Sequence, residues 1–135
     1  MRWLASRQIL TIDDESHVRE VVNACLEALG GWQVLAAPSG QEALDLLERE
    51  KPDAIILDWM MPDMDGLTFL KQLRTNLVTQ KIPVIVLSAK AYLPKEELVK
   101  LGVVATIAKP FDPLALAQNV ADSLGWEFNL NNHLN

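Results

Sequence analysis

Asp13-Asp14, Asp58, Ser88 and Lys109 are the residues of this chain whose types and spacing suit chemistry. Each follows a short apolar run: Ile9-Leu10-Thr11-Ile12, Ala54-Ile55-Ile56-Leu57, Val84-Ile85-Val86-Leu87, and Val103-Val104-Ala105-Thr106-Ile107-Ala108. Two carboxylates about 5 Å apart repel by roughly 3 kcal/mol at an effective dielectric near 20. Three of them gathered at one rim therefore require a cation or the Lys109 ammonium. Oxygen-only ligands that leave room for water suit a hard ion, and few carboxylates in an open site suit Mg²⁺. Such an ion would also hold a phosphoryl oxygen, freeing Asp58 to attack phosphorus in line and form an aspartyl phosphate. Ser88 would hydrogen-bond one phosphoryl oxygen, and Lys109 would pair with another as a point charge.

The elements that must position these groups alternate between two periodicities. Residues 8–12 form a short strand ending at the acidic pair. Val18, Val21, Val22, Cys25, Leu26 and Leu29 then recur at helical spacing until Gly30-Gly31 stops the helix. A second strand covers residues 32–36. Ser39 with Glu42 has the form of a capping box, opening a helix whose core face is Ala43, Leu44, Leu46 and Leu47. Lys51-Pro52 ends it, and the continuous apolar run before Asp58 reads as a strand buried on both faces. Pro62 and Asp65-Gly66 mark a turn after that strand. The third helix spans residues 66–77 and buries Leu67, Leu70, Leu73 and Leu77. Residues 82–87 make the fourth strand, with Pro83 tolerable at its beginning. A helix from Pro94 to Leu101 closes at Gly102, and residues 103–108 make the fifth strand. Asp112 as N-cap and Pro113 at the first helical position open the last helix, which ends at Gly125. Five strands alternating with five helices specify an α/β fold with a parallel sheet and helices on both faces. All strand ends of such a sheet lie on one edge, where open α/β folds place their ligands.

Composition limits the function. The chain has 135 residues, the length of one domain, and half of them are hydrophobic. A formal charge of −6 argues against direct nucleic-acid binding, which runs on clustered Lys and Arg. No apolar stretch approaches the roughly 20 residues that span a bilayer, and the N-terminus meets charge too soon for a signal peptide. The single cysteine excludes an internal disulfide and fits a reducing compartment, so the expected location is the cytoplasm.

From about Gln8 to Leu124 the chain resembles the receiver domain of bacterial two-component response regulators. The resemblance rests on Asp13-Asp14, the frame Asp58-x-x-Met61-Pro62-x-x-Asp65-Gly66, Ser88-Ala89, and Lys109-Pro110-Phe111, each at the end of its strand. It implies the doubly wound, flavodoxin-like strand order 2-1-3-4-5, which the residues alone do not give. It implies that Asp58 accepts a phosphoryl group from a histidine kinase or histidine phosphotransfer protein. Mg²⁺ would be held by Asp13, Asp14, Asp58 and the backbone carbonyl of Met60. Lys109 and Ser88 would contact the phosphoryl group, and the fourth helix, fifth strand and fifth helix would rearrange to switch binding of a downstream protein. A receiver domain over residues 1–125 and a frayed tail over 126–135 are expected, and the short polar tail suggests a single-domain protein.

Two departures bear on the read-out. The position three before Lys109, commonly aromatic in receivers, is Thr106, so rotation of a large ring is not the signal here. The preceding turn reads Val103-Val104-Ala105, an apolar surface suited to a partner or to a homodimer.

Other readings are weaker. A phosphohydrolase with Asp58 as nucleophile would need a second acid two residues later, where Met60 stands, so turnover of external substrates is not expected. A pseudo-receiver scaffold conflicts with the complete set of acids and Lys109. Asp63-Met64-Asp65-Gly66 lacks the closing Glu of a calcium loop. Cys25 reads as core filler, and His17 and His133 as exposed. Trp59, Met60 and Met61 are expected to be partly exposed. Trp3, Trp126 and Phe128 are candidates to bury the termini together or to form a dimer patch.

Overall fold

The run Ala54–Asp58 forms the central strand β3, and every residue in it is buried. A computed structural model describes residues 7–90 and 92–128. Around β3 stand β1 (Gln8–Ile12), β2 (Gln33–Ala37), β4 (Val84–Ser88) and β5 (Val103–Ala108), all parallel, in the order β2-β1-β3-β4-β5. The helices are α1 (Ser16–Ala28), α2 (Gly40–Leu46), α3 (Gly66–Thr75), α4 (Lys95–Lys100) and α5 (Pro113–Leu124). The expected doubly wound α/β architecture is therefore observed.

Alternation along the strands divides the core between two faces. Ile9, Ile56 and Ile85 pack with Val22 and Leu26 of α1 and Leu116, Ala117 and Val120 of α5. Leu10, Ile55 and Leu57 pack on the other face with Ala43, Phe69, Leu70, Leu73 and Leu98 from α2, α3 and α4. Side-chain caps open α2, α3 and α5. The Ser39 hydroxyl accepts from the Glu42 N–H at 3.1 Å, Asp65 accepts from the Thr68 N–H at 2.7 Å, and Asp112 accepts from the Leu114 N–H at 2.9 Å. Gly125 ends α5 at φ 72°, a left-handed conformation that favours glycine.

Several expectations are corrected. Helix α3 ends at Thr75 because Asn76 takes extended backbone angles, leaving Leu77 83% exposed rather than buried. Phe69, absent from the expected core face, is fully buried beside Leu70 and Leu73. Strand β2 begins at Gln33 instead of residue 32, and β4 at Val84 instead of residue 82. Val21 lies on the flank of the α1 stripe and is exposed. Trp59 and Met61 are buried, and only Met60 is exposed. Trp126 and Phe128, assigned to a frayed tail, pack on Trp32, with ring centroids 5.3 and 6.3 Å away. Trp3 and His133 lie outside the described residues.

Candidate functional site

Parallel register brings the chemical residues to one edge. Ile12 of β1 pairs with Leu57 of β3, so Asp13 and Asp58 follow side by side. Asp58 pairs with Leu87 of β4, and Ser88 pairs with Ala108 of β5, immediately before Lys109. The Lys109 N–H donates to the Ser88 carbonyl at 3.0 Å, and the Trp59 N–H donates to the Leu87 carbonyl at 3.0 Å. These bonds extend the ladder one step past the strands and hold the rim in place.

Asp13, Asp14 and Asp58 each offer a carboxylate oxygen within 4.8 Å of the others. Asp13 and Asp58 are buried and Asp14 is exposed. Lys109 Nζ donates to Asp13 Oδ2 at 2.8 Å and to Asp58 Oδ1 at 3.2 Å. Asp13 Oδ1 accepts from the Glu15 N–H at 3.0 Å, and Asp58 Oδ1 also accepts from the Met60 N–H at 3.3 Å. Burial, and then the charge of Asp13, push the Asp58 carboxyl up to about 6, against the lowering pull of Lys109 and the Met60 N–H. Burial works against the Lys109 ammonium, but the hydrogen bond and charge of Asp13, joined by Asp58, outweigh it and leave the ammonium raised.

The donor set fits the expected cation. Three carboxylates with one side open to water give oxygen ligands alone, which suit Mg²⁺ better than a thiolate- or imidazole-preferring metal. The structure thus brings together Asp13, Asp14, Asp58 and Lys109. Ser88 is buried at the end of the neighbouring strand, its hydroxyl accepting from the Lys90 N–H at 2.9 Å. Met60 turns its N–H toward Asp58 and leaves its side chain exposed. The Lys109-Pro110 peptide bond is cis.

Two contacts escaped the sequence reading. Arg19 Nη1 donates to the Asp13 carbonyl at 2.7 Å; an Arg one turn into the helix after the acidic pair was the available signal. Asp63 accepts from the N–H groups of Gly40 and Gln41 at 3.3 and 3.2 Å, tying the β3–α3 loop to the start of α2. No local pattern links those positions.

A family model described as the response regulator receiver domain matches residues 9–121. The chain belongs to that family. This receiver is similar to a chemotaxis protein CheY homologue of Campylobacter jejuni, 36% identical over 122 residues that cover 87% of this chain and 92% of the homologue. It is also similar to the phosphate regulon transcriptional regulatory protein PhoB of Pseudomonas aeruginosa, 35% identical over 114 residues and 84% of this chain. The receiver spans about half the length of PhoB, 49%. Among solved structures, the chemotaxis response regulator CheY4 of Vibrio cholerae superposes with a TM-score of 0.80 at 28% identity, covering 88% of this chain and 99% of that one. The receiver domain of the sensor histidine kinase PA1611 from Pseudomonas aeruginosa superposes at 0.77 with 29% identity, covering 90% and 99%. That domain carries a magnesium ion coordinated in its active-site cleft. No helix among the described residues of this receiver is long and apolar enough to cross a membrane.

Proposed function

We propose that this receiver accepts a phosphoryl group on Asp58 from the phosphohistidine of a partner kinase or phosphotransfer protein, in the cytoplasm and with Mg²⁺. The observation that carries this is the meeting of Asp13, Asp14 and Asp58 within 4.8 Å, with Lys109 bridging Asp13 and Asp58. Asp13, Asp14, Asp58 and the Met60 carbonyl would hold Mg²⁺, which would supply charge neutralisation for the incoming phosphoryl group. An Asp58 carboxylate oxygen attacks phosphorus, the P–N bond breaks, and the imidazole leaves with the electron pair and takes up a proton. Lys109 offers its ammonium to the charge that develops on the phosphoryl oxygens, and Ser88 offers its hydroxyl. Turnover of an external substrate is not part of the proposal, since Met60 supplies no second acid.

The output is assigned to the face of α4, β5 and α5. Leu98 is the buried residue of α4, so that helix is lightly held. Val99, Val104 and Leu114 are exposed large apolar residues on these elements, suited to a downstream protein or a second copy of the chain. Thr106 is exposed on β5 and carries no ring to rotate, so the shift is assigned to α4 and β5 themselves.

The testing experiment mixes purified receiver with a phosphohistidine donor and Mg²⁺. Transfer to wild type and none to Asp58→Asn is the expected result. Equal labelling of both proteins would overturn the assignment of Asp58. A parallel pull-down, with and without a beryllium fluoride mimic, identifies the protein that reads the change.

A further inference from the structure

Asp13 is tied down at every polar atom. Its N–H donates to the Ala37 carbonyl at 3.2 Å, its Oδ1 accepts from Glu15, and its Oδ2 accepts from Lys109. Its carbonyl accepts from Arg19 Nη1 at 2.7 Å, the shortest of these contacts. Asp14 is different. It is exposed, and among the described residues no hydrogen bond holds its side chain, yet its carboxylate joins the three-acid cluster.

What directs Asp14 is the peptide that links it to Asp13. That unit is a rigid plane, so a grip on its carbonyl oxygen also fixes the direction in which the Asp14 Cα leaves it. Arg19 supplies the grip from half-buried cover on α1, with a planar guanidinium that presents its N–H donors in a fixed fork. Binding a cation would order both the Asp14 side chain and the backbone that carries it, and a backbone already held removes its share of that cost.

We infer that Arg19 is a positioning residue for the cation site, aiming the Asp14 carboxylate through the carbonyl of Asp13. The inference rests on the phosphoacceptor reading above and extends it to a residue that touches neither metal nor phosphoryl group.

A plain charge role for Arg19 has the opposite sign. A guanidinium beside three carboxylates competes with any cation, so its removal would strengthen Mg²⁺ binding by simple electrostatics. Loss of positioning weakens it. Outer partners of metal ligands typically contribute about 10- to 100-fold in affinity, and a grip on backbone alone belongs at the lower end.

The experiment titrates Mg²⁺ against wild type, Arg19→Met and Arg19→Lys, reading affinity from the cation-dependent rise in Tm, with metal-free Tm as the control for folding. Arg19→Met is expected to bind Mg²⁺ about 3- to 30-fold more weakly despite the lost positive charge. Arg19→Lys, which keeps a charged donor, falls between. In an Asp14→Asn background, Arg19→Met should cost no further affinity, because the two changes then act through one ligand. Unchanged or tighter Mg²⁺ binding by Arg19→Met, or full additivity with Asp14→Asn, would overturn the inference while leaving the phosphoacceptor reading intact. A wild-type Tm indifferent to Mg²⁺ would overturn both.

Discussion

Lys109 Nζ lies 3.2 Å from Asp58 Oδ1, across 51 positions of sequence, and the same ammonium lies 2.8 Å from Asp13 Oδ2. One cation thus holds apart two buried acids that would otherwise face each other. Lys109→Met should lower metal-free stability at pH 7.5 by about 1–3 kcal/mol, less than the loss of a fully buried pair because the rim is partly solvated. Near pH 5 the loss should shrink, as Asp58 takes a proton. Urea denaturation at the two pH values checks this, and an equal loss at both would contradict it.

Asp58 itself makes stability depend on pH. The carboxyl is raised from 3.8 to about 6 by folding, so the folded state holds the proton more tightly than the unfolded chain. Its contribution is complete below about 3.8 and is lost as pH rises through about 6, a change of up to about 3 kcal/mol. Metal-free wild type should therefore lose stability relative to Asp58→Asn between pH 4 and 7, on the order of that amount. A difference that stays constant, or grows in favour of wild type with rising pH, would oppose the assignment. Lys109, raised in the folded state, acts in a separate alkaline window: its contribution is present below its unfolded value and fades as pH passes the folded one.

Asp14 is the exposed member of the cluster, and under the proposed function its charge would serve the cation more than the fold. Asp14→Asn should leave the chelator-treated protein as stable as wild type or more so, since functional clusters are commonly held at some cost in stability. Mg²⁺ should then raise the wild-type Tm more than the variant's. Clear destabilisation of the variant in chelator would contradict the repulsion argument.

Gly66 is required by the ring next to Asp58. A Cβ there would lie 2.3 Å from Cε3 of Trp59, whose carbonyl also accepts from the Gly66 N–H at 3.2 Å. Gly66→Ala should destabilise the protein by about 1–3 kcal/mol through overpacking and weaken Mg²⁺ binding as Trp59 shifts its neighbour. A Tm and a Mg²⁺ affinity both equal to wild type would show that the ring moves aside freely.

Much of this arrangement was legible in the sequence because it is local. The apolar runs delivering Asp13, Asp58 and Lys109 fix the strands, and Ser39-x-x-Glu42 and Asp112-Pro113 fix helix starts through neighbouring atoms. What escaped depends on distant partners. Trp59 reads as a rim residue, and only the absence of a side chain at Gly66 gives its ring a buried place. Leu77 continues the α3 period, but the chain turns at Asn76 before reaching it. Val104 stands exposed with Thr106 and Ala108 on alternate positions of β5, in a run that reads as almost continuously apolar. Trp126 finds its place against Trp32 and beneath the Arg7 guanidinium, 4.8 Å from the ring centre, contacts that no spacing rule connects.

Intact mass after incubation with a small phosphodonor and Mg²⁺ tests the central claim most directly. Wild type should gain one acid-labile phosphoryl group, and Asp58→Asn should gain none. Folded wild-type protein whose mass stays unchanged with Mg²⁺ present, or an Asp58→Asn variant that is labelled equally, would contradict the account.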